Sequence, residues 1–356
     1  MIILTDMPGE MILYIARFLN PEDFLNFSLS CKYFYDILIR NIKKKRKNIF
    51  LKLAGYRCFN IFGTRLICKY QNIGKLPNSV CNLRYLKTII IDHTNITHLP
   101  KDMYLLNNLR ILKVTNSKLK IFPQSLLKLD RLYVIDLSKN YISITRDNNI
   151  DLSNFTELRV LNLSYNNISY IPSSINKLSN LKSLYINCNK ITLVTDTDKF
   201  PNLQILNVSN NLISYIKIGN IKLQELYIYQ NYIDNVINIE KSKNMSILAM
   251  HKNNFSTVPH DVYKLKNLEQ LYIGYNCINK LSDNIKKLTK LEVLDVSHNN
   301  LTDLPKNIKK LINLKILNIS FNRLNKLPVG VSKLYNLRTL DISFNYGDMF
   351  IPYNYV

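Results

Sequence analysis

The sequence predicts an α/β solenoid, built from stacked copies of one short unit, with a small domain of three short helices before it. The skeleton L-x-x-L-x-L-x-x-N-x-L-x-x-L-P recurs between Leu86 and Leu337, at spacings of 20 to 26 residues. Each copy contains a short alternation of apolar and polar residues, which is typical of a strand with one buried face. A column of asparagines follows the predicted strands. Repetition at this period indicates stacked repeats rather than separate globular domains.

The strand prediction rests on this alternation. In the copy LEVLDVSHNNLTDLP, Leu294 and Val296 point towards the core. Val293, Asp295 and Ser297 take the opposite, outward face. One unit cannot cover its own apolar face, so neighbouring units must stack and share a continuous core. We therefore expect a parallel sheet with one strand from each unit.

The asparagine that follows each predicted strand is interpreted as structural. A side-chain amide at an inward bend must be hydrogen-bonded, and it can bridge backbone groups of adjacent units. The column consists of Asn140, Asn166, Asn189, Asn211, Asn231, Asn253, Asn276, Asn299, Asn322 and Asn345. In the first copies it becomes Gln71, Thr94 and Ser117, so we expect the N-terminal end to be the looser one.

These features resemble the leucine-rich repeat family, whose repeats run about 20–29 residues. The resemblance implies a leucine-rich-repeat horseshoe with a parallel sheet on its concave side. It assigns residues 66–345 to about 12–13 repeats, the first of them a weaker copy that begins at Leu66. Residues 43–65 are expected to form a basic linker and cap, and residues 346–356 a short tail. The stretch from Leu181 to Met245 has irregular spacings and lacks the terminal Leu-Pro, so its curvature is expected to differ.

Residues 1–42 leave the repeat frame and predict three short helices. Asp6 can cap the first helix, with Pro8 in its first turn. Pro21 suits the first position of a second helix, and Ser30 can cap a third. Because a unit of this size cannot bury a sizeable core, we expect it to pack on a partner or on the neighbouring domain.

The order of residues in this segment, MPGEMILYIARFLNPEDFLNFSLSCKYFYDIL, resembles the F-box. Met7 and Met11 stand where the F-box pattern has aliphatic residues. The resemblance implies docking on the Skp-type adaptor of a cullin–RING ubiquitin ligase. The residues expected on the adaptor face are Pro8, Ile12, Ile15, Leu19, Phe24 and Leu25. An ordinary helical cap on the solenoid is the alternative that the residues leave open.

Composition and motifs limit the partners, cofactors and compartments that the sequence allows. The net charge is +23, in a chain with 23 Tyr, 8 Gly and no Trp. An AT-rich coding sequence, as in a protist or a large DNA virus, explains this bias without a nucleic-acid partner. The 6 cysteines show no zinc-ligand spacing, and no signal peptide or membrane span is evident. We expect a cytoplasmic protein with no metal or other cofactor, and Lys43–Lys47 is a candidate nuclear signal.

The outward strand positions are the expected binding surface, because repeat arrays bind partners on the concave side. The central outward column reads Ile90, Lys113, Asp136, Asn162, Tyr185, Asn207, Tyr227, Ala249, Tyr272, Asp295, Asn318 and Asp341. With the flanking Asp92 and Glu225 it carries five acids and one base, Lys113. Phosphate binding needs clustered Lys and Arg, so nucleic acid is not the expected partner of this face. Nucleic-acid binding by the lysine-rich opposite side would weaken steeply with salt.

Aromatic residues gather in the middle of this surface. Tyr185, Tyr227 and Tyr272 recur in alternate repeats, and a strand spacing of about 4.8 Å puts successive tyrosines about 10 Å apart. Rigid aromatic side chains are enriched at the centres of protein interfaces. The expected partner-binding residues are Tyr185, Tyr227, Tyr229, His251, Tyr272 and Glu225. Codon bias, which scatters tyrosine along the chain, is the competing explanation.

No catalytic motif is evident. The chain has no G-x-S-x-G, phosphate loop or H-E-x-x-H, and no motif places a nucleophile beside any of its 5 histidines. We predict a non-catalytic protein–protein interaction module. The F-box resemblance implies the substrate-recognition subunit of an SCF-type ubiquitin ligase, with an unknown target protein held by the repeats. The main alternative is a stand-alone intracellular repeat scaffold with no link to a ligase.

Overall fold

The computed structural model describes residues 64–194 and 200–346. The chain divides into two compact units, Met1–Ile142 and Ser143–Val356. Each unit contains stacked repeats whose strands form a parallel sheet, which confirms the predicted repeat fold. The three helices predicted for residues 1–42 lie outside the described residues, as do most of the predicted linker and of the tail.

The first unit begins its sheet with the weakest copy of the repeat. The strands are β1 (Arg65–Gln71), β2 (Thr88–Thr94), β3 (Ile111–Thr115) and β4 (Val134–Asp136). They pair in parallel and in chain order. Leu66, Ile89 and Leu112 lie opposite one another in register, and all three are buried. The copy that begins at Leu66 is therefore a full member of the sheet.

The second unit continues the same pattern with shorter strands. Its main sheet contains β5 (Val160–Asn162), β6 (Ser183–Tyr185), β7 (Ile205–Asn207), β9 (Glu225–Tyr227), β11 (Ile247–Ala249), β12 (Gln270–Tyr272), β13 (Val293–Asp295), β14 (Ile316–Asn318) and β15 (Thr339–Asp341). Neighbours pair in parallel with their middle leucines in register. From β5 to β14 these leucines are buried with the leucine or methionine that opens each repeat, so they form the predicted shared core; Leu340 on the last strand is half-buried.

Short 3-10 helices follow the strands on the other side of the repeats. In the first unit they are Asn78–Asn82, Lys101–Leu105 and Gln124–Lys128. In the second unit they are Ser173–Lys177, Ile239–Lys241, His260–Lys264, Asp283–Lys287, Lys306–Lys310 and Val329–Lys333. Most of them follow the proline at the end of the repeat skeleton. The fixed φ and missing N–H of proline suit the residue before a helical turn. Where Ser282 replaces proline, its hydroxyl accepts the N–H of Asn284 at 3.2 Å.

The irregular stretch of the second unit has a local structure of its own. β8 (Ile216–Lys217) and β10 (Val236–Ile237) pair in parallel and form a second, two-stranded sheet. In the repeat frame they occupy the positions that Leu304 and Pro305 hold in a regular copy. Pro305 is extended as well, but here the extended segments of neighbouring repeats pair as strands. The predicted difference in curvature stays a prediction.

The asparagine column makes the bridges that its position predicts. The side-chain amide of Asn276 donates to the carbonyl oxygens of Ile273 at 3.0 Å and Gly274 at 3.2 Å within its own repeat. It also donates to the carbonyl oxygen of Met250 in the preceding repeat at 3.2 Å. Its Oδ1 atom accepts the N–H of Phe255 at 3.1 Å. One buried side chain thus satisfies four backbone groups and ties two repeats together.

In the first copies, hydroxyl groups take the place of the asparagine amide between adjacent repeats. Thr94 and Ser117 are buried, and their hydroxyl oxygens lie 2.9 Å apart in a hydrogen bond. The amide bridge begins at Asn140, whose Oδ1 atom accepts the N–H of Leu119 at 3.0 Å. A shared hydroxyl bond joins fewer backbone groups than an amide does. The looser N-terminal end that this implies stays a prediction.

Candidate functional site

The predicted aromatic residues lie in one row across the main sheet of the second unit. Register pairs join Tyr185 to Asn207, Asn207 to Tyr227, and Tyr227 to Ala249. The row continues from Ala249 to Tyr272 and ends at Asp295 on β13. The three tyrosines are half-buried and stand on alternate strands, as their spacing predicts. We call the outward face of β6 to β13 around this row the aromatic face.

Two of the tyrosines are held by side chains of their own strands. The hydroxyl of Tyr227 donates to Oε2 of Glu225 at 2.9 Å, and that of Tyr272 donates to Oε1 of Gln270 at 3.0 Å. Burial raises the pKa of Tyr227, and the bond to Glu225 and its charge act in the same direction. Burial and the charge of Asp295 raise the pKa of Tyr272. Both phenols therefore stay neutral and present fixed rings near neutral pH.

Tyr229 and His251 form a second pair, two residues after Tyr227 and Ala249 along the chain. Their rings stack with centroids 4.4 Å apart and planes inclined by 8°. Burial lowers the pKa of His251, the charge of Lys252 adds to that effect, and the charge of Asp295 opposes it. His251 is therefore predominantly neutral at pH 7, and the stacked pair adds apolar surface to the aromatic face.

Most other strands use the same positions for a hydrogen bond that the sequence alternation did not reveal. Ser297, predicted on the outward face, is buried, and its hydroxyl and N–H donate to Oδ1 of Asp295 at 2.7 and 2.9 Å. We call this arrangement the Asx–Ser pair, because the acceptor is Asp or Asn. In the second unit the pairs are Asn162–Ser164, Asn207–Ser209, Asp295–Ser297, Asn318–Ser320 and Asp341–Ser343. The recurring [DN]-x-S at the end of the strands was the signal available in the sequence.

Four strands of the aromatic face, β6, β9, β11 and β12, lack this pair. The corresponding positions hold Tyr185 and Asn187 on β6, Tyr227 and Tyr229 on β9, Ala249 and His251 on β11, and Tyr272 and Gly274 on β12. Tyrosine and alanine cannot supply the Oδ1 acceptor that the pair requires. The fold does not need aromatic residues at these positions, since five strands of the same unit manage with Asp or Asn.

The charge of the outward face differs between the two units. Each strand of the second unit's main sheet has three outward positions, which on β13 are Val293, Asp295 and Ser297. In the described residues from β5 to β15, these positions include the acids Glu225, Asp295 and Asp341 but no Lys or Arg. In the first unit, Arg65 and Lys69 on β1 are exposed and add to Lys113. The predicted excess of acids on this face therefore holds for the second unit and is wrong for the first.

Asp92, one of the predicted outward acids, is engaged within the fold. Its carboxylate accepts bonds from the Thr115 hydroxyl at 2.7 Å and the Asn116 amide at 2.8 Å, and it lies 3.0 Å from Nδ1 of His93. Although burial opposes ionisation, these bonds and the nearby histidine lower the pKa of Asp92. This carboxylate is organised by its own repeat array.

The alternation within the strands does not predict a second aromatic column, because its residues lie after the strands. Tyr275, His298, Phe321 and Phe344 stack in succession, with ring centroids 3.8, 4.0 and 4.1 Å apart. Lys252 lies over the ring of Tyr275 at 5.3 Å. All five residues have positive φ, between 50° and 54°, which is unusual for bulky side chains. Stacking contributes about 0.5–1.5 kcal/mol per ring pair, which offsets part of that strain.

The remaining predicted sites fall outside what the structure describes. Lys43–Lys47 and the adaptor-face residues lie in the first 63 residues, outside the described range; the latter are Pro8, Ile12, Ile15, Leu19, Phe24 and Leu25. In residues 64–194 and 200–346, no group of three or more His, Cys, Asp and Glu is placed to hold a metal ion. No helix in the same ranges has the length and apolar character of a membrane span.

The fold and the outward face define a class of protein, a repeat array that presents a sheet surface to a partner. Comparison with protein families makes this more specific. Residues 4–46 match the F-box domain. Residues 156–199 match leucine-rich repeats in two copies, and residues 222–348 match a leucine-rich repeat region. The chain therefore combines an F-box domain with leucine-rich repeats, both of which are typically non-catalytic interaction modules.

Solved structures of leucine-rich-repeat proteins resemble this fold. A leucine-rich-repeat protein of Leptospira interrogans is 24% identical with a TM-score of 0.65, over 78% of this chain and 77% of that one. An internalin of Listeria monocytogenes is 21% identical with a TM-score of 0.60, over 80% and 82%. A plant peptide hormone receptor is 24% identical with a TM-score of 0.60, over 77% of this chain and 54% of the receptor, so the chain spans about half of that receptor. These identities show the fold alone. A comparison with curated proteins gives no significant match.

Proposed function

We propose that this protein is the substrate-recognition subunit of an SCF-type cullin–RING ubiquitin ligase. The observation that carries the proposal is the presence, in one chain, of an F-box match at residues 4–46 and of leucine-rich repeats. The F-box binds a Skp-type adaptor, and the repeats bind the target protein. Ubiquitin transfer then gains from proximity, because the receptor holds the target near a conjugating enzyme that it does not itself contain.

The adaptor side of the proposal rests on the F-box-like segment. The proposed domain plan is an F-box at residues 1–42, a basic linker and cap at 43–65, repeats at 66–345 and a tail at 346–356. Pro8, Ile12, Ile15, Leu19, Phe24 and Leu25 form the adaptor-binding face. The proposed compartment is the cytoplasm, with nuclear entry through Lys43–Lys47.

The target side of the proposal rests on the aromatic face. Tyr185, Tyr227 and Tyr272 share one row, Tyr227 is anchored on Glu225, and Tyr229 stacks on His251. Ordered, half-buried aromatic rings lose little conformational entropy on binding, which is why they dominate interface energetics. We assign target docking to these six residues.

Adaptor capture tests the ligase proposal directly. Full-length protein carrying Pro8→Ala and Leu19→Ala should lose binding to a Skp-type adaptor in a pull-down, because both truncations remove apolar contact area. The matched control is Ile121→Ala with Tyr335→Ala, two exposed apolar residues of the repeats, which should leave capture unchanged. Circular dichroism of each variant separates lost binding from lost folding.

The contrary result is as informative. If folded wild-type protein does not capture the adaptor of its own host, the ligase proposal is wrong. A stand-alone repeat scaffold, in which residues 1–42 only cap the array, then becomes the better interpretation. The assignment of the aromatic face would survive that outcome, because it depends on the second unit alone.

A further inference from the structure

The aromatic face carries negative charge in a protein of net charge +23. Glu225 lies on β9, two residues before Tyr227, and Asp295 lies on β13, paired with Tyr272. The outward positions of β5 to β15, as described, contain no Lys or Arg. Lys252, whose charge acts on His251, follows β11 and lies over the ring of Tyr275. In a chain with 48 basic and 25 acidic residues, this face is where the local charge opposes the overall charge.

The lysines of the same unit are collected elsewhere. Lys264, Lys287, Lys310 and Lys333 each end a 3-10 helix and are exposed. These helices stand on the other side of the repeats from the strands. An acidic target would therefore be attracted to the lysines of the 3-10 helices. A neutral target would gain no electrostatic attraction from either side. A cationic target is repelled by most of the surface and attracted by the aromatic face.

Both carboxylates keep capacity for further donors. Glu225 accepts one bond from the Tyr227 hydroxyl, and Oδ1 of Asp295 accepts the two bonds from Ser297. An ionised carboxylate offers about four acceptor positions on its two oxygens. The tyrosines beside them supply aromatic faces, which attract cations with about 0.5–2 kcal/mol each.

Arginine fits this combination better than lysine does. Its planar guanidinium can stack on a tyrosine ring and donate two parallel hydrogen bonds to one carboxylate. Tyr227 and Tyr272 lie two strands apart, about 10 Å at ordinary strand spacing. In an extended chain, side chains on one face repeat about every 7 Å, so arginines at alternate or every fourth position can reach both sites.

From this geometry we propose that the aromatic face binds an extended, arginine-bearing basic segment of the target protein. The proposal rests on the proposed function, since it names the chemistry of the target that the repeats hold. The column from Tyr275 to Phe344 is a weaker candidate for the same role, because its rings already cover one another's faces.

Peptide binding to the full-length protein tests the proposal. The probe is a short fluorescein-labelled peptide in which arginine alternates with leucine, beside two counterparts with glutamine or glutamate in place of arginine. Glu225→Gln with Asp295→Asn removes two charges and keeps the acceptor atoms, as Asn318 shows in its own pair with Ser320. We expect this variant to bind the arginine peptide about tenfold more weakly, from about 0.7 kcal/mol per exposed charge pair.

The control variant is Asp283→Asn with Asp303→Asn, which removes the same charge from exposed positions off the aromatic face. It should change the affinity less than about twofold, since charges more than about 10 Å away are screened. Equal weakening by the two variants, or equal binding of the glutamine peptide, would overturn the proposal. Tighter binding of the glutamate peptide would overturn it too and would point to the lysines of the 3-10 helices.

These outcomes are distinct from failure of the proposed function. Loss of adaptor binding concerns residues 1–42 and leaves the peptide result unaffected. If the arginine peptide fails to bind while Tyr185→Ala, Tyr227→Ala and Tyr272→Ala together abolish capture of a target, the docking surface is right and its proposed chemistry is wrong.

Discussion

Two kinds of strand share the main sheet of the second unit, and they use the same outward positions differently. β5, β7, β13, β14 and β15 end in an Asx–Ser pair, in which a carboxylate or amide oxygen holds a serine hydroxyl at 2.6–2.7 Å. β6, β9, β11 and β12 place Tyr, His, Ala, Asn or Gly there instead. The first kind turns its polar side chains back onto its own backbone, and the second presents rings outward.

The difference separates scaffold from docking surface within a single sheet. Each Asx–Ser pair adds hydrogen bonds worth about 0.5–1.5 kcal/mol apiece. The aromatic strands give up these bonds at positions where the rest of the unit makes them. What they gain is a row of anchored rings, with Tyr227 held by Glu225 and Tyr229 stacked on His251. Such a trade of local stability for exposed aromatic surface is typical of binding sites.

The largest effect is expected where both kinds of strand depend on the same device. Asn276→Ala in the repeat of β12 and Asn299→Ala in that of β13 should each lower the free energy of unfolding by about 2–4 kcal/mol, because each leaves several buried backbone groups without a partner. Asn299 makes the same set of bonds as Asn276, to the carbonyl oxygens of Ile273, Val296 and Ser297 and from the N–H of Ile278. Urea denaturation measures both values.

Asn300→Ala, next to the column, serves as the control and should cost less than about 1 kcal/mol. Losses that differ between Asn276 and Asn299 by more than about 1 kcal/mol would show that the aromatic strands are not built on the common scaffold. The comparison between the two kinds of strand would then have to include the core as well as the outward face.

A smaller effect should distinguish the two kinds of strand by pH. The pKa of His251 in the folded state lies below its ordinary value of 6.5 because of burial, helped by Lys252 and opposed by Asp295. The unfolded chain therefore binds the proton first, and this residue's contribution to stability falls as pH falls below 6.5. His251→Phe keeps a ring against Tyr229 and removes the titration. Its stability should fall less than that of the wild type between about pH 7 and pH 5.

Asp341, in an Asx–Ser strand, should lose its contribution to stability in the same direction but at lower pH. Although burial opposes ionisation, hydrogen bonds from Ser343 and Ser320 lower its pKa below 3.8. Its contribution to stability is present above that value and is lost as pH falls through the lower, folded-state pKa. The stability of Asp341→Asn should therefore change with pH as that of the wild type does between about pH 7 and pH 5. If His251→Phe also matches the wild type over that range, the histidine is not held in its neutral form by the fold.

Much of the repeat architecture follows from the sequence, because each position of the skeleton has one physical role. The period of the leucines predicts the strands and the shared core, and the asparagine column predicts the bridges between repeats. The row that joins Tyr185, Tyr227 and Tyr272 follows from spacing alone, since register in a stacked array is set by the repeat. These features depend on local patterns that recur, so a single sequence is sufficient to find them.

Other features depend on contacts that a simple alternation does not describe. The alternation of the strand predicts that Ser297 points outward, but Ser297 is buried, and its hydroxyl donates a hydrogen bond to Asp295. Arg65 and Lys69 fall in a copy too weak to be counted with the rest, and they reverse the charge of the outward face in the first unit. β8 and β10 form where the Leu-Pro pair is missing, and only pairing between neighbours reveals them.

Converting one aromatic strand to the scaffold kind gives the most direct test of the account. Tyr227→Asn with Tyr229→Ser rebuilds on β9 the Asx–Ser pair that Asn207 and Ser209 make on the adjacent β7. Binding of the arginine peptide should fall about tenfold or more while the urea midpoint stays the same or rises. The reciprocal control, Asn318→Ala with Ser320→Ala on β14, should lower the midpoint and leave binding unchanged. Retained binding by the β9 variant, or equal loss of binding in both, would contradict the division of the sheet into scaffold and docking strands.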